Sequence, residues 1–491
     1  MLSSLITQLA PFAPIPKSTL HLKAVILAAL RFRARHISHL SGGTPTTSLG
    51  ARVPFSPSIT QRSSQYTRAH RQYSSSALSL SASTMDLEGF HFDTMGTTEE
   101  QERYCSGGFH PIAIGVMLDP EAGLAPPERR YRILHKLGFG SYATVWLARD
   151  VRASTFVAVK VTTADSGAAE EREAKMLEKF AGAQGDTIPT HVLQLHDHFT
   201  ITGPNGVHHV LVTDVVLPVL SVGIRSTPPD WRKAAAHGLV LGIAQMHRHG
   251  VKHGDLHLGN LGCAMPELVN QEEDDVVQDL SPYEMTVVLP RDPRAQTASL
   301  PPYVVMPCDL AKYWVRIRSS DNPPDVKILD FGNAREMHEP AGELQCAVEA
   351  CAPELAFARV ALKEVRPEWG APSDVWAVGS TIYEIVAGSS LFYGMGIADG
   401  LLNTMVKLTG AVPPAWQSYW QSRPYLQGTE VSSYAVAEEW ERRRASLRAG
   451  CADEADAELL VQLLRRILVL DPEERPTINE VLEDPWFQDA K

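Results

Sequence analysis

Three polar residues near the middle of the sequence have the types and the spacing that phosphoryl transfer requires. Asp255 follows His253 by two residues, and Asn260 follows Asp255 by five. Transfer of a phosphoryl group to a hydroxyl needs a carboxylate that meets the hydroxyl, together with oxygen ligands for the magnesium on the nucleotide phosphates. We therefore expect Asp255 to be the catalytic base and Asn260 to be a metal ligand. The alternative for so short a stretch is a polar turn after a helix.

The residues upstream of this loop offer groups that could bind phosphates. Gly138 and Gly140 follow alternating apolar residues, a pattern that predicts a strand whose turn can approach phosphates without side chains in the way. Lys160 ends an apolar strand, and a half-buried ammonium needs an anion, which phosphates can supply. A helix predicted over residues 168–180 would add a carboxylate to hold the lysine. We choose Glu173 for this contact because it lies one turn before Leu177 on the same helix face; Glu170 and Glu171 are the alternatives.

Two further stretches complete the predicted nucleotide site. The apolar run at residues 209–216 predicts a buried strand, and the backbone near Asp214 would meet the adenine edge. Asp330 ends another apolar strand and precedes Phe331 and Gly332; a carboxylate there can bridge magnesium to the phosphates. The residues assigned to catalysis are Asp255, Lys160, Asn260 and His257. The residues assigned to nucleotide binding are Leu137, Gly138, Phe139, Gly140, Ser141, Val145, Ala158, Lys160, Glu173, Asp214 and Val216, and those assigned to the metal are Asn260 and Asp330.

Two regions of different composition divide the chain. The protein has 491 residues, of which 44% are hydrophobic and 21% charged, a balance that suits a folded protein with a large core. Residues 1–85 contain no acidic residue and nine basic ones, which predicts a disordered basic leader, followed by a linker at residues 86–103. A mitochondrial transit peptide is one interpretation of this leader. A basic tail, or a start of translation at Met85 or Met95, is the alternative.

The part that follows the leader is strongly acidic. Residues 86–491 hold all 57 acidic residues and the other 36 of the 45 basic residues, a balance of −21. Acidic surfaces attract cationic partners and repel nucleic acid, so we expect a basic protein substrate and no direct nucleic-acid binding; solubility alone is the alternative. No stretch reaches the roughly 18 apolar residues of a membrane span, so no membrane partner is expected. We also expect a monomer.

Six cysteines occur without the paired spacing of zinc sites. A reducing compartment and free thiols are therefore expected, and this includes Cys346 and Cys351, which lie five residues apart. Farther along the chain, Glu354 and Arg475 are expected to form a buried charged pair.

The order of these motifs resembles that of the eukaryotic protein kinases. The motifs are the glycine loop, the lysine strand, the loop at residues 253–260, the Asp330 motif, the Ala352-Pro353-Glu354 motif, the helix near Asp374 and the motif around Arg475. Within this order, residues 104–115 and 136–150 resemble the SR-protein kinases. The loop at residues 253–260, followed by a long insertion at residues 266–325, is similar to the fungal branch of that group.

This resemblance implies an α+β, bilobal protein kinase fold over residues 104–488. A small β-rich N-lobe with one main helix would cover residues 128–217, and a larger helical C-lobe would cover residues 218–488. The resemblance also implies ATP and Mg²⁺ as cofactors, phosphorylation of serine in Arg/Ser-rich proteins, and a location in the cytoplasm and nucleus. Loops as long as the insertion are usually functional or disordered.

Several residues depart from the family pattern. Gly254 replaces the arginine that, in the family, binds a phosphorylated activation segment. In this sequence that segment runs from Asp330 to Glu354, and no Ser, Thr or Tyr lies between Phe331 and Glu354. The two absences agree, and they predict an enzyme that does not depend on phosphorylation of that segment. His257 replaces a lysine, and because histidine is only partly charged at pH 7, transfer is expected to be slower or more pH-dependent.

Three alanines also depart from the family pattern. Ala143 replaces the third glycine of the loop, while Ala347 and Ala350 replace a threonine and a tyrosine, and the lost threonine hydroxyl normally organises the base. A weakly active or inactive pseudokinase scaffold, based on Ala143, His257 and Ala347, therefore stays open as an alternative. The catalytic loop alone is also typical of small-molecule kinases that act on aminoglycosides or choline.

Overall fold

The described residues all belong to one of the two units into which the chain divides. The structure, a computed structural model, describes residues 97–120, 129–165, 167–181, 191–280, 282–289, 298–318, 323–340, 346–392, 396, 398–423 and 433–488. The two units are Met1–Ser83 and Thr84–Lys491. The predicted leader and most of the predicted linker therefore lie outside the described residues. Within those residues, no helix combines the length and the apolar character needed to cross a membrane.

A six-stranded antiparallel sheet and one long helix form the N-terminal lobe. The strands are β1 (Met117–Leu118), β2 (Tyr131–Phe139), β3 (Ala143–Asp150), β4 (Thr155–Thr162), β5 (Leu195–Gly203) and β6 (Gly206–Thr213), in the order β1-β2-β3-β4-β6-β5. The helix, α1 (Gly167–Ala181), is rich in helix-forming residues and packs against β5 and β6. Its buried side chains Leu177 and Phe180 lie against the core, which turns Glu173 toward β4.

The chain leaves this sheet earlier than the sequence suggested. The strand predicted at residues 209–216 is two elements, because β6 ends at Thr213 and β7 (Val216–Pro218) begins a different sheet. There β7 pairs with β9 (Leu261–Ala264), which also pairs with β12 (Val326–Ile328). The switch between sheets at Asp214 marks the connection between the two lobes.

Helices make up most of the C-terminal lobe. They are α2 (Pro229–Arg248), α5 (Pro353–Phe357), α6 (Ala371–Ala387), α7 (Asp399–Thr409), α8 (Gln417–Gln421), α9 (Ser433–Leu447), α10 (Glu454–Ile467) and α11 (Ile478–Leu482). The centre of the lobe is α6, which is buried on nearly all sides and packs against α2. A helix that is apolar all round fits such a position, since every face meets the core. Two short strands, β8 (Val251–Lys252) and β13 (Arg335–Glu336), pair beside the end of α2.

The insertion at residues 266–325 contains regular structure and packs on the N-terminal lobe. Its elements are α3 (Glu273–Leu280), β10 (Met285–Val287), β11 (Tyr303–Val305) and α4 (Leu310–Ile317). The backbone N–H of Cys308 donates to the carbonyl of Lys136 in β2 at 2.9 Å, and the Arg132 guanidinium bonds to the Glu273 carboxylate. Val305 is fully buried among apolar side chains of the N-terminal sheet. Where it is described, the insertion is therefore an ordered cover rather than a loose loop.

Candidate active site

A buried carboxylate on α6 holds the catalytic loop in place. Asp374 accepts hydrogen bonds from the backbone N–H groups of His253 at 2.8 Å and Gly254 at 2.9 Å. Burial alone would raise the pKa of Asp374, but the hydrogen bond from His247 and these loop contacts hold it below its usual value. The His253 ring is also buried, with Nε2 3.0 Å from the carbonyl oxygen of Leu329. The loop is therefore anchored from both the helix and the strand beside it.

Asp255 is held by two donors and lies near a second carboxylate. Its Oδ1 accepts from the backbone N–H of Ala347 at 3.1 Å, and its Oδ2 lies 3.4 Å from the Asn333 amide nitrogen. Burial, and secondarily the charge of Asp330, raises the pKa of Asp255 to about 7. A base with a pKa near neutral pH is suited to accept a hydroxyl proton and release it again.

Asn260 and Asp330 offer oxygen atoms close to Asp255. The Asn260 amide nitrogen donates to the carbonyl of Asp255 at 2.9 Å, which leaves the amide oxygen as the atom able to bind a cation. Asp330 has a φ of 59°, a left-handed conformation that is unusual outside glycine. Desolvation in the cleft would raise the pKa of Asp330, but the Lys160 ammonium and the Gly332 amide hold it below its usual value. Both side chains thus present hard oxygen donors, one of them a stable anion.

Phe331 sets the direction of the neighbouring Asp330. Its fully buried ring packs against Phe180 of α1 and against His253, with ring centroids 5.7 Å apart in each case. This packing holds the ring between the helix and the catalytic loop and so fixes the backbone beside Asp330, whose pKa the Lys160 ammonium lowers.

The predicted ion pair between strand and helix is present. The Lys160 ammonium lies 2.6 Å from the Glu173 carboxylate, and Glu173 is only 3% exposed. Glu173 is therefore the glutamate that Lys160 contacts, as expected from its face of the helix. Because Lys160 also acts on Asp330, the N-terminal lobe contributes its cation to the same cleft as the catalytic loop.

The glycine hairpin leads into β3, whose Val145 lies opposite Lys160 of β4 in the strand register. Gly140 closes the turn between β2 and β3 through its N–H bond to the carbonyl of Ala143 at 2.8 Å. A Cβ added at Gly138 or at Gly140 would meet no atom within 4 Å, so the backbone faces open space as a phosphate cradle requires.

The other residues assigned to the nucleotide occupy different parts of the cleft. Leu137 and Val145 are partly buried beside the main core, and Ala158 is buried in β4. Phe139 and Ser141 are exposed at the hairpin. Asp214 lies between the lobes with its carboxylate 2.7 Å from His196, and Val216 begins β7.

The donor set fits a magnesium nucleotide. Mg²⁺ prefers carboxylate and amide oxygens, which Asp330 and Asn260 provide, and Lys160 adds a fixed cation for phosphate. His257 is also close, because its ring helps to lower the pKa of Asp330. The Nδ1 atom of His257 accepts from the backbone N–H of Gly259 at 3.0 Å.

Sequence reasoning missed several groups that hold the Asp255 carboxylate. Asn333 contacts Asp255 but stands just beyond the recognised Asp330 motif, so only its position three residues after Asp330 could have drawn attention to it. The backbone N–H of Ala347 carries no sequence signal. Ala347 has no hydroxyl to orient Asp255, as the sequence indicated. Its backbone N–H donates to the Asp255 carboxylate instead and orients it.

The other predicted contacts in the C-terminal lobe are also present. The Arg475 guanidinium makes two bonds to the Glu354 carboxylate, at 2.6 and 3.0 Å. The arginine side chain is fully buried, whereas the Glu354 side chain is 22% exposed, so only one partner of the pair is buried as predicted. All six cysteines are free thiols, including Cys346 and Cys351.

Comparison with known proteins gives consistent matches. Residues 315–487 match the protein kinase domain. A serine/threonine protein kinase of Aspergillus fumigatus is 26% identical over 416 residues, which cover 79% of this chain and 90% of the relative. The serine/threonine-protein kinase SRPK of Physarum polycephalum is 24% identical over 414 residues, which cover 80% of this chain and 92% of the relative.

A solved structure agrees with the fold. The crystal structure of a kinase domain aligns with a TM-score of 0.50 at 18% identity and covers 77% of this chain and 99% of its own. The two-lobed fold of this chain is consistent with this alignment and with the match of residues 315–487 to the protein kinase domain. Residues 315–487 thus carry a protein kinase domain, and the chain as a whole is similar to serine/threonine-protein kinases, among them the SR-protein kinases.

Proposed function

We propose that this protein transfers the γ-phosphoryl group of ATP to serine in basic, Arg/Ser-rich proteins and does not depend on phosphorylation of its activation segment. The observation that carries the transfer is the arrangement of Asp255 beside Asn260 and Asp330, with Lys160 facing the same cleft. The preference for a basic substrate is supported by the charge of −21 on residues 86–491 and by the resemblance to SR-protein kinases.

Each residue of the cleft has a distinct part in the proposed reaction. ATP would supply the phosphoryl group, and the magnesium bound to it would neutralise charge on the phosphates. Lys160 would hold the phosphates, and Glu173 keeps its ammonium in position. Asp255 would orient the acceptor hydroxyl and take its proton on a carboxylate oxygen, while Ala347 keeps that carboxylate in place.

The independence from phosphorylation is supported by the surroundings of Gly254. This glycine has a φ of +80°, and a Cβ on it would lie 2.4 Å from the ring of Trp369. An arginine cannot be placed there without moving that ring. The segment that begins at Asp330 is instead tied by other contacts, including the bond from Met337 N–H to the Gly250 carbonyl at 2.8 Å and the pair between Glu354 and Arg475.

A transfer assay with the full chain tests this proposal. The purified protein receives labelled ATP and Mg²⁺ with one of three acceptors, namely an Arg/Ser-repeat peptide, a neutral serine peptide, or a mixture of aminoglycosides and choline. We expect transfer to the basic peptide, and Asp255→Ala should remove it by several orders of magnitude while ATP still binds.

The other results would identify the alternatives. Transfer only to the small alcohols would indicate a small-molecule kinase, and ATP binding without transfer to any acceptor would indicate a pseudokinase. Independence from phosphorylation is tested separately, by treating the enzyme with a phosphatase before the assay. Loss of activity after that treatment would contradict this part of the proposal.

A further inference from the structure

A buried lysine directly before the catalytic loop joins two distant segments of the chain. Lys252 is 3% exposed, and its ammonium donates to the carbonyl oxygens of Glu339 at 3.0 Å and Trp369 at 3.1 Å. The carbonyl oxygen of Met337 lies 3.5 Å from the same nitrogen. An ammonium has three donors and no acceptor, so these carbonyls match its capacity.

The Trp369 ring makes a second contact with the same lysine. The Lys252 ammonium lies 4.7 Å from the centroid of this ring, a distance at which the ring face attracts a cation. The ring also occupies the space where a side chain on Gly254 would lie. Trp369 therefore fills the place of the missing arginine and at the same time binds the neighbouring cation.

The electrostatic surroundings favour the charged lysine in part. Burial lowers the pKa of Lys252, and the carboxylates of Glu368, Asp374 and Glu339 partly offset this, while Arg335 opposes them. The carbonyl contacts themselves require donors, so the protonated amine is the form that fits the geometry.

The carbonyl groups that accept from Lys252 lie near the start of the activation segment and just before α6. Met337 and Glu339 follow the Asp330 motif by seven and nine residues, and Trp369 immediately precedes the turn into α6. Strand pairing supports the first contact, because β13 aligns Arg335 with Lys252. The lysine thus fastens the beginning of the activation segment to the base of the C-terminal lobe.

We propose that Lys252 is a positioning residue that keeps the activation segment in its substrate-accepting form, as an internal substitute for the arginine and phosphate found in phosphorylation-dependent relatives. Lys252 ties Met337 and Glu339 at the start of the segment, and Arg475 ties Glu354 at its end. Between these ties, the N–H of Ala347 reaches Asp255 and holds the base. This inference rests on the proposed kinase activity, and it names the group that makes a phosphate unnecessary.

Three variants separate this role from simple stability. Lys252→Met removes the cation at similar length, Lys252→Gln keeps donors without charge, and Lys252→Arg keeps the charge with a different shape. Lys233→Met is the matched control, because Lys233 is another largely buried lysine, with 17% of its side chain exposed. It contacts a carboxylate, Asp456, and lies 5.4 Å from the ring centroid of Trp486. That contact belongs to α2 and the C-terminal end of the lobe, away from the activation segment.

Two measurements are made on the full-length protein. Steady-state kinetics give kcat and KM for an Arg/Ser peptide and KM for ATP, and hydrogen exchange reports the amides of Met337 and Ala347. For Lys252→Met we expect peptide kcat/KM to fall about ten- to a hundredfold, the range for losing hydrogen bonds to a charged group. The ATP KM should be unchanged, and both amides should exchange faster. Lys252→Gln should give a smaller loss, and Lys252→Arg should recover part of the activity.

The control and the hydrogen exchange make the outcomes distinct. Lys233→Met should lower the melting temperature and leave exchange at Met337 and Ala347 as in the wild type. If Lys252→Met folds and these amides still exchange at the wild-type rate, the proposal is wrong; if it does not fold, Lys252→Gln is judged by the same criterion. A wild type without transfer activity, combined with faster exchange in the Lys252 variants, would refute the proposed function and leave the tether supported.

Discussion

The proton affinity of Asp255 follows first from its burial and second from the nearby charge of Asp330. Both effects disfavour the charged form, which is why its pKa is raised to about 7. A base must be unprotonated to accept a proton, so the active fraction of the enzyme should increase as the pH rises through this value.

The pH dependence of kcat/KM tests this residue directly. We expect kcat/KM for peptide to rise about tenfold per pH unit below pH 6 and to level off above about pH 7.5, as Asp255 loses its proton. When MgATP is saturating, the rise should occur at lower pH than when ATP is limiting, because bound magnesium would neutralise Asp330 and remove part of the repulsion. A flat profile between about pH 5.5 and 8 would show that Asp255 is not the titrating base.

His257 gives a second prediction at this scale. Its ring lies close enough to Asp330 to lower that residue's pKa, in the position where related kinases carry a lysine. We expect His257→Lys to raise kcat most at pH 8, where an imidazole is largely neutral and a lysine keeps its charge. The measurement is the ratio of variant to wild-type kcat from pH 6 to 8. A ratio that does not increase with pH would contradict a charge-based role.

At the level of structural elements, residues 99–104, which precede β1, support the glycine hairpin. The Lys136 ammonium, in β2, is fully buried and bonds to the buried carboxylate of Glu99, which also accepts from the Tyr104 hydroxyl. From the same segment, the Arg103 guanidinium bonds to the carbonyl of Ser141 at the tip of the hairpin. The nucleotide-covering turn is thus fastened by residues that precede the sheet.

Breaking this buried pair should affect both stability and nucleotide binding. Glu99→Gln leaves the Lys136 ammonium buried without its anion, which costs about 3–5 kcal/mol in comparable cases. We expect a lower melting temperature and a higher KM for ATP, because Lys136 adjoins Leu137 and Gly138 at the site. Glu100→Gln, an exposed neighbour, is the control and should behave as the wild type. Equal effects of the two substitutions would mean that the pair does not support the hairpin.

For the whole molecule, the insertion is part of the connection between the lobes. It leaves the C-terminal lobe after β9 and returns at β12, but its middle packs on the N-terminal lobe. The N–H of Ile114 donates to the Tyr303 hydroxyl at 3.0 Å, and the Asn205 amide nitrogen donates to the Ser299 carbonyl at 3.0 Å. The N-terminal lobe is therefore held by the insertion as well as by the chain near Asp214.

The contribution of the insertion to the N-terminal core can be tested by truncating one buried side chain, that of Val305. Val305→Ala removes two methyl groups from a fully buried position in the N-terminal core, and a loss of about 1–3 kcal/mol is expected. Hydrogen exchange in β2 and β3 should increase, and KM for ATP should rise. Val287→Ala, at a position 48% exposed on β10, is the matched control and should change stability by less than about 0.5 kcal/mol. If the two variants are indistinguishable, the insertion does not stabilise the lobe.

The sequence by itself determined the order of the chemical groups and the lobe that carries each of them. Asp255, Asn260, Lys160, Glu173 and Asp330 were all assigned from local patterns, because strand alternation, helix-forming composition and turn residues act over a few neighbouring positions. The insertion was missed as structure for the same reason, since its strands are only three residues long and its helices eight.

Only the tertiary structure decided what holds the base and the activation segment. Ala347 is 92 residues from Asp255 in the chain, and Trp369 is 117 residues from Lys252. Contacts of this kind use backbone N–H and carbonyl groups, which every residue type except proline provides, so the sequence carries no mark of them. The folded chain selects them by packing, and that packing places the Lys252 ammonium against the carbonyl oxygens of Glu339 and Trp369.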